Sequence, residues 1–271
     1  ILDLPEILNM LPKDITIVDW HYRADYHYSS TDKFKNHGFK YVVSPSVWNF
    51  VTTFPTLVNS TPNIYNIIKS GLRNNSVGMV NSNWGDYGAE TIKELIYYGY
   101  AYSAQCSWNF EAANINDFSK LYFCDFFGVK NNEGYEVYKI LSNPLNQMMW
   151  HEVWRHPLLP LRTPSWWENN VGIAAKINHL EQYIDDLSEK IKSLKTKATR
   201  NRDHLEILDF YVNLNEWYAL KLKSQGMLQM FKQLSDNEIE LLKGMIKNSD
   251  AKLETLKNNY SALWKKYYKE E

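Results

Sequence analysis

The sequence predicts an α/β region followed by an all-α region, and three observations support this. In the first half, short apolar runs alternate with helix-like stretches at intervals of about 26 and 36 residues, the strand–helix rhythm of a parallel sheet. A proline-rich segment then interrupts the chain. Beyond it, apolar residues recur at alternating spacings of four and three, which is typical of long packed helices.

Three short apolar runs are predicted to be strands, at residues 15–20, 41–44 and 77–82. They are continuous rather than alternating, as expected when both faces of a sheet are covered. Helices are predicted at about 61–73, 89–103 and 115–127. A doubly wound sheet and a (β/α)8 barrel share this order. No glycine-rich phosphate loop follows any strand, which argues against the dinucleotide-binding version.

The proline-rich residues 142–172 are predicted to be a connector that packs through its tryptophans, because prolines at that density prevent long helices. Residues 173–271 are predicted to form an antiparallel three-helix bundle, since three apolar heptad seams are separated by short turns. Ser235, followed by Glu238 three residues later, predicts a capping box at the start of the third helix.

Composition excludes several function classes. The 271 residues carry 30 basic and 31 acidic side chains, so the chain lacks the basic surplus that nucleic-acid binding needs. No apolar run reaches about 18 residues, so no membrane span is predicted. Cys106 and Cys124 make neither a disulfide framework nor a zinc quartet. Few cysteines and no signal peptide favour a cytoplasmic location.

Aromatic and polar side chains follow all three predicted strands. The carboxyl ends of parallel strands meet at one edge of a sheet or barrel, where sites lie. Tryptophan can stack on the apolar face of a pyranose, while carboxylates and amides accept its hydroxyls, so this combination predicts a sugar site. The alternative is that some of these tryptophans only plug the barrel. The predicted substrate-binding residues are Trp20, Tyr22, Trp48, Asn49, Trp84 and Asp86.

Other chemistries have weaker support. His21 lies two residues after Asp19, but no His, Asp and Glu spacing matches a metal triad, so no metal is predicted. The chain has no serine nucleophile elbow, and neither cysteine lies at a strand end, which argues against acyl transfer. No organic cofactor is predicted either.

Three segments together resemble a known family: ITIVDWHY, YVVSPSVWNF and GMVNSNWGDYG. They are similar to the last three βα units of glycoside hydrolase family 20, the β-N-acetylhexosaminidases, and most similar to a bacterial branch in which a helical domain follows the barrel. The resemblance covers about residues 1–130. It implies that residues 1–141 are the C-terminal part of a catalytic (β/α)8 barrel and that residues 173–271 are the helical domain.

The resemblance also implies roles for single residues. Trp84 and Asp86 match the tryptophan and acidic residue of the family's eighth strand, which line the sugar pocket. Trp20 matches the pocket tryptophan of the sixth strand.

The seventh strand departs from the family pattern. Better-known members carry a tyrosine there, which holds the substrate's acetamide oxygen, and an aspartate. This chain has Trp48 and Asn49 instead, which leaves Tyr22 as the alternative source of that hydroxyl.

Members of this family use substrate-assisted catalysis, in which the substrate's N-acetyl oxygen attacks the anomeric carbon. An aspartate orients that amide, and an adjacent glutamate on the fourth strand protonates the leaving oxygen. The chain contains no Asp-Glu dipeptide before its connector. The resemblance therefore predicts that the catalytic pair and the front of the barrel lie outside this chain, which alone is inactive. The expected partners are the missing N-terminal part of the barrel and a glycan that contains N-acetylhexosamine.

Two other functions stay open. The chain could be a carbohydrate-binding protein without catalytic activity, or a helical scaffold for protein interactions.

Overall fold

The computed structural model of the protein describes residues 3–86, 90–143, 148–159 and 173–268. Within these ranges one parallel sheet has the strand order β1–β2–β3. The strands are β1 (Thr16–Trp20), β2 (Lys40–Ser44) and β3 (Gly78–Met79). The predicted strand positions are confirmed, but β3 is shorter than expected. Regular pairing ends at Met79, and an isolated bridge between Ser46 and Ser82 continues it.

Helices make up most of the remaining described chain. In order they are α1 (Ser30–Asn36), α2 (Leu57–Arg73), α3 (Tyr97–Trp108), α4 (Ile115–Phe127), α5 (Glu133–Leu141), α6 (Trp150–Trp154), α7 (Ile173–Lys197), α8 (His204–Gln229) and α9 (Asp236–Tyr267). The described helices include none with both the length and the apolar composition that crossing a bilayer requires.

The expectation of three βα units of a (β/α)8 barrel followed by an antiparallel three-helix bundle is wrong. The described chain is mostly helical, and its sheet is a small three-stranded one near the N-terminus with a last strand of two residues. Helices follow it directly, and α5, which was not predicted, packs against α7. Strand and helix periodicity are local signals, whereas the partner of each helix depends on contacts between distant residues.

Backbone contacts divide the chain into two compact units, and the division falls inside α4 rather than at the predicted connector. Unit 1 contains Ile1–Phe50, Pro55–Ala89 and Lys93–Tyr122, and unit 2 contains Val51–Phe54, Glu90–Ile92 and Phe123–Glu271. Most of the predicted connector, at 144–147 and 160–172, lies outside the described residues, as do residues 87–89.

In unit 1, the two faces of the sheet differ in how far the described residues bury them. Tyr41 and Val43 of β2 are buried in a core with Ile64 and Ile67 of α2. Side chains alternate between faces along a strand, and Val18 of β1 lies on the opposite face, where it is 52% exposed. Among the described residues, helices therefore cover one face of the sheet, and Val18 on the other face is half exposed.

In unit 2, α8 is the central helix and contacts both α7 and α9. It is buried around most of its circumference, including polar residues such as His204 and Lys221. The predicted capping box at the start of α9 is confirmed, because Ser235 and Glu238 exchange the side-chain and backbone hydrogen bonds that define it.

Candidate functional site

Five aromatic side chains lie in ring contact beyond the carboxyl ends of the strands, and we call them the aromatic platform. Tyr22 is central, with ring centroids 5.4 Å from Trp20, 6.4 Å from Trp84 and 5.9 Å from Phe50. Phe50 in turn stacks on Trp48 at 5.0 Å. The platform therefore unites the four predicted aromatic site residues with Phe50.

The platform presents flat apolar surface to solvent. Trp20 is 63% exposed and Trp84 is 52% exposed, although large aromatic side chains usually bury most of their area. The indole Nε1 of Trp84 donates a hydrogen bond of 2.8 Å to the hydroxyl of Tyr22. This bond orients the Tyr22 hydroxyl and leaves its own proton available to an acceptor.

The segment after β2 carries two unusual features. Trp48 has a φ of 46°, in the left-handed region that a bulky side chain rarely adopts, and such strain is concentrated at functional sites. Next to it, Asn49 is buried, and its side-chain Oδ1 has no donor among the described residues. A buried acceptor without a donor is costly, but an oxygen with almost no accessible surface contacts a ligand only after its side chain turns outward.

Two asparagines of α2 hold the loops beneath the platform. The fully buried Asn63 donates 2.7 Å from Nδ2 to the carbonyl of His21, and its Oδ1 accepts from the backbone N–H of Ser46 at 3.1 Å. One side chain thus ties the end of β1 to the end of β2. One turn earlier, Asn59 donates to the Tyr22 carbonyl at 2.7 Å. These bonds position the backbone that carries the aromatic rings.

Asp19 and His21 lie two residues apart in the sequence. In the structure they form a hydrogen-bonded cluster with Ser30, the first residue of α1. The buried Asp19 carboxylate accepts from the Ser30 hydroxyl at 2.7 Å and lies 2.9 Å from His21 Nε2. Ser30 Oγ also lies 2.9 Å from that same nitrogen. A catalytic triad needs serine and carboxylate on opposite ring nitrogens, so this cluster cannot relay a proton from Ser30 through His21 to Asp19.

A buried tyrosine packs beside this cluster. The ring of Tyr28 lies 5.2 Å from His21, and its hydroxyl donates to the Arg23 carbonyl and accepts from Asn63. Burial raises the pKa of Tyr28, so it remains a neutral hydrogen-bonding group. It supports the loop rather than supplying a charge.

The two polar residues predicted for the site differ in burial. Asn49 is buried, whereas Asp86 is exposed two residues after Trp84. Sequence reasoning missed Phe50, although it lies in the same aromatic stretch as Trp48. It also missed Asn59 and Asn63, whose signal is weak because asparagine in a helix is usually only a polar surface residue.

Comparison with known proteins adds no assignment. No protein-family model matches the chain, and no curated protein matches it. Within the described ranges, no group of three or more His, Cys, Asp and Glu side chains is placed to hold a metal ion.

Proposed function

We propose that the aromatic platform binds a carbohydrate, and that the chain is the sugar-holding part of a glycoside hydrolase that removes terminal β-linked N-acetylhexosamine. One observation carries the binding proposal. Two half-exposed tryptophan rings flank Tyr22, whose hydroxyl is oriented by Trp84. This arrangement combines flat apolar surface with a fixed polar group, the usual composition of a ligand site.

Each group has a role suited to an N-acetylated sugar. The rings of Trp20 and Trp84 stack on the apolar face of the pyranose. The Tyr22 hydroxyl, which accepts from Trp84, donates its proton to the acetamide oxygen. The exposed Asp86 carboxylate accepts sugar hydroxyls. The Asn49 oxygen, which has no donor among the described residues, is buried and reaches a sugar only if its side chain turns outward.

Bond cleavage needs groups that this chain does not supply. The 271 residues contain no Asp-Glu dipeptide, the pair that polarises the acetamide and protonates the leaving oxygen in the family that the chain resembles. In this proposal both carboxylates come from outside the chain. The resemblance of residues 1–130 is the support for a hydrolase rather than a protein that only binds sugar.

Binding can be measured by titrating the protein with methyl N-acetyl-β-glucosaminide and following tryptophan fluorescence. We expect Trp84→Ala to weaken binding at least about tenfold, because it removes both a stacking face and the donor to Tyr22. Trp108→Ala is the matched control, since Trp108 is also in unit 1, is 92% exposed and lies outside the platform. Equal affinities of the two variants would exclude the platform as the site.

The acetamide contact is tested separately with Tyr22→Phe. This change keeps the ring and removes the hydroxyl, so we expect weaker binding of the N-acetylated sugar and unchanged binding of methyl β-glucoside. A parallel loss for both sugars would show that Tyr22 supports the platform without recognising the acetamide.

Hydrolysis and simple binding are distinguished by assaying the full-length gene product on a chromogenic N-acetylglucosaminide. A hydrolase releases the chromophore, and Asp86→Ala lowers kcat/KM by removing a hydroxyl contact. Full activity in that variant would remove Asp86 from the site. Sugar binding without chromophore release would identify a carbohydrate-binding protein.

A further inference from the structure

Unit 2 contains a pocket of about 560 Å³ formed by α8, α9 and the segment at the end of α6. Its volume lies in the range of small-molecule sites, roughly 300–1,000 Å³. Most of its lining is apolar, from Val153, Trp154, Leu158, Leu228, Ile246 and Leu253. An apolar ligand could bury most of its surface there.

A buried lysine forms part of the pocket wall. Lys221 is 6% exposed, and its Nζ donates hydrogen bonds of 2.7 Å to the carbonyls of Glu152 and Val153, in the last turn of α6. The ammonium also lies 5.5 Å from the ring centre of Trp217. Lys221 makes no ion pair within 4.0 Å among the described residues, although the nearby Glu152 carboxylate attracts its charge.

Charges of both signs act on Lys221: the Glu152 carboxylate favours its charged form, and Arg155, which lines the same pocket, disfavours it. Among the described lining residues, the acidic side chain is Asp250 on α9, which is exposed. Burial lowers the pKa of Lys221 to about 8, which still leaves the amine mostly protonated at neutral pH. Trp217 adds a buried indole N–H that has no acceptor among the described residues.

We propose that this pocket binds an amphipathic organic acid, whose apolar body lies among the pocket's aliphatic and indole side chains and whose carboxylate or sulfonate pairs with Lys221. The ammonium has three N–H donors and gives two of them to the carbonyls of Glu152 and Val153, so the anion would accept the third. This site lies in unit 2, and its existence does not depend on sugar binding by the platform.

Capping of α6 alone does not explain a lysine at this position. The two carbonyls need hydrogen-bond donors, and a neutral amide or hydroxyl would satisfy them without the cost of burying a charge. A cation beside an apolar pocket is instead the arrangement that selects an acidic ligand from neutral ones of the same shape.

The test compares two probes of similar shape, the sulfonate 8-anilino-1-naphthalenesulfonate and the neutral N-phenyl-1-naphthylamine, by fluorescence titration of the whole chain. We expect saturable binding of the sulfonate at one site. Lys221→Met should weaken the sulfonate about tenfold and leave the neutral probe nearly unchanged. Lys223→Met is the matched control, because Lys223 lies on the same helix, is about 40% exposed and pairs with Glu181 outside the pocket lining.

Circular dichroism shows whether Lys221→Met folds. If it does not, a second variant tests where the probes bind. Leu253→Trp adds bulk to the α9 wall of the pocket and should weaken both probes. Unchanged binding of both probes to Leu253→Trp would place them elsewhere and overturn the proposal. Equal loss of the sulfonate in Lys221→Met and Lys223→Met would show that Lys221 does not recognise the anion.

Discussion

At the scale of single residues, the platform depends on a side-chain pair that is distant in sequence. Trp84 donates to Tyr22 across 62 positions, and this one bond orients the hydroxyl that the proposed function assigns to the acetamide. Beneath it, Asn63 joins the ends of β1 and β2 through backbone groups. Such bonds convert a set of exposed rings into a surface of defined geometry.

A buried histidine in unit 2 makes a pH prediction possible. His204 is fully enclosed and contacts the hydroxyl of Tyr138 through Nε2. Burial lowers the pKa of His204 from 6.5 to about 4. Between these values the unfolded chain binds a proton that the folded chain excludes, so the free energy of unfolding falls as the pH falls from about 6.5 to 4, by up to about 3 kcal/mol.

The variant His204→Gln, which lacks an ionisable ring, should lose this part of the pH dependence even if it is less stable at pH 7. Urea unfolding at several pH values between 7 and 4 measures the slope. His156→Gln is the control, since His156 is exposed in the same unit. An unaltered slope in His204→Gln would mean that other groups cause the acid sensitivity.

At the scale of elements, α2 closely approaches β2, and α3 closely approaches the segment that follows β2, in each case through a glycine. A Cβ on Gly71 of α2 would lie 2.9 Å from Val43 Cγ1, and one on Gly99 of α3 would lie 2.7 Å from Val47 Cγ1. Val47 is buried and immediately precedes the strained Trp48. The packing of α3 therefore supports the segment after β2 that carries Trp48 and Phe50 of the platform.

Gly99→Ala should force Val47 to move. We expect a loss of about 1–3 kcal/mol in the free energy of unfolding, together with weaker sugar binding, because overpacking displaces the adjacent backbone. Gly244→Ala in α9 is the matched control, since no atom lies within 4 Å of its Cβ position. It should stabilise the protein by about 0.5–1 kcal/mol through helix propensity.

Chemical denaturation measures both glycine variants. A neutral Gly99→Ala would mean that α3 can shift away from Val47 without cost, and the proposed coupling between α3 and the platform would then fail.

At the scale of the whole molecule, one face of the sheet in unit 1 carries apolar side chains that the described residues leave exposed. Val18 is 52% exposed and Val80 is 53% exposed, although parallel sheets usually have both faces covered. Large exposed apolar patches mark association surfaces. We therefore expect the protein to associate through this face at high concentration.

The double variant Val18→Lys/Val80→Lys should reduce that association, because it places two positive charges on the face. Sedimentation velocity at two concentrations measures it. The control is Val58→Lys, since Val58 is equally exposed but belongs to helix α2 and not to the sheet. A wild-type protein that is monomeric at both concentrations would contradict the prediction.

Local signals in the sequence predicted local structure well. β1 and β2 coincide with short apolar runs of the sequence, as predicted. The capping box of α9 was predicted from Ser235 and Glu238, which lie three residues apart. The fold class was wrong because the strand–helix rhythm does not specify how many strands assemble. The sequence also did not indicate that α5 packs against α7.

The sequence by itself determined which residues follow the strands, and hence that Trp20, Tyr22, Trp48 and Trp84 gather at one end of the sheet. This grouping follows from the parallel arrangement, because the carboxyl ends of parallel strands lie at the same edge of the sheet. Only the tertiary structure decided that Phe50 joins them, that Asn49 is buried while Asp86 is exposed, and that Lys221 is enclosed beside an apolar pocket. Burial and pairing depend on contacts between distant residues, which no local pattern encodes.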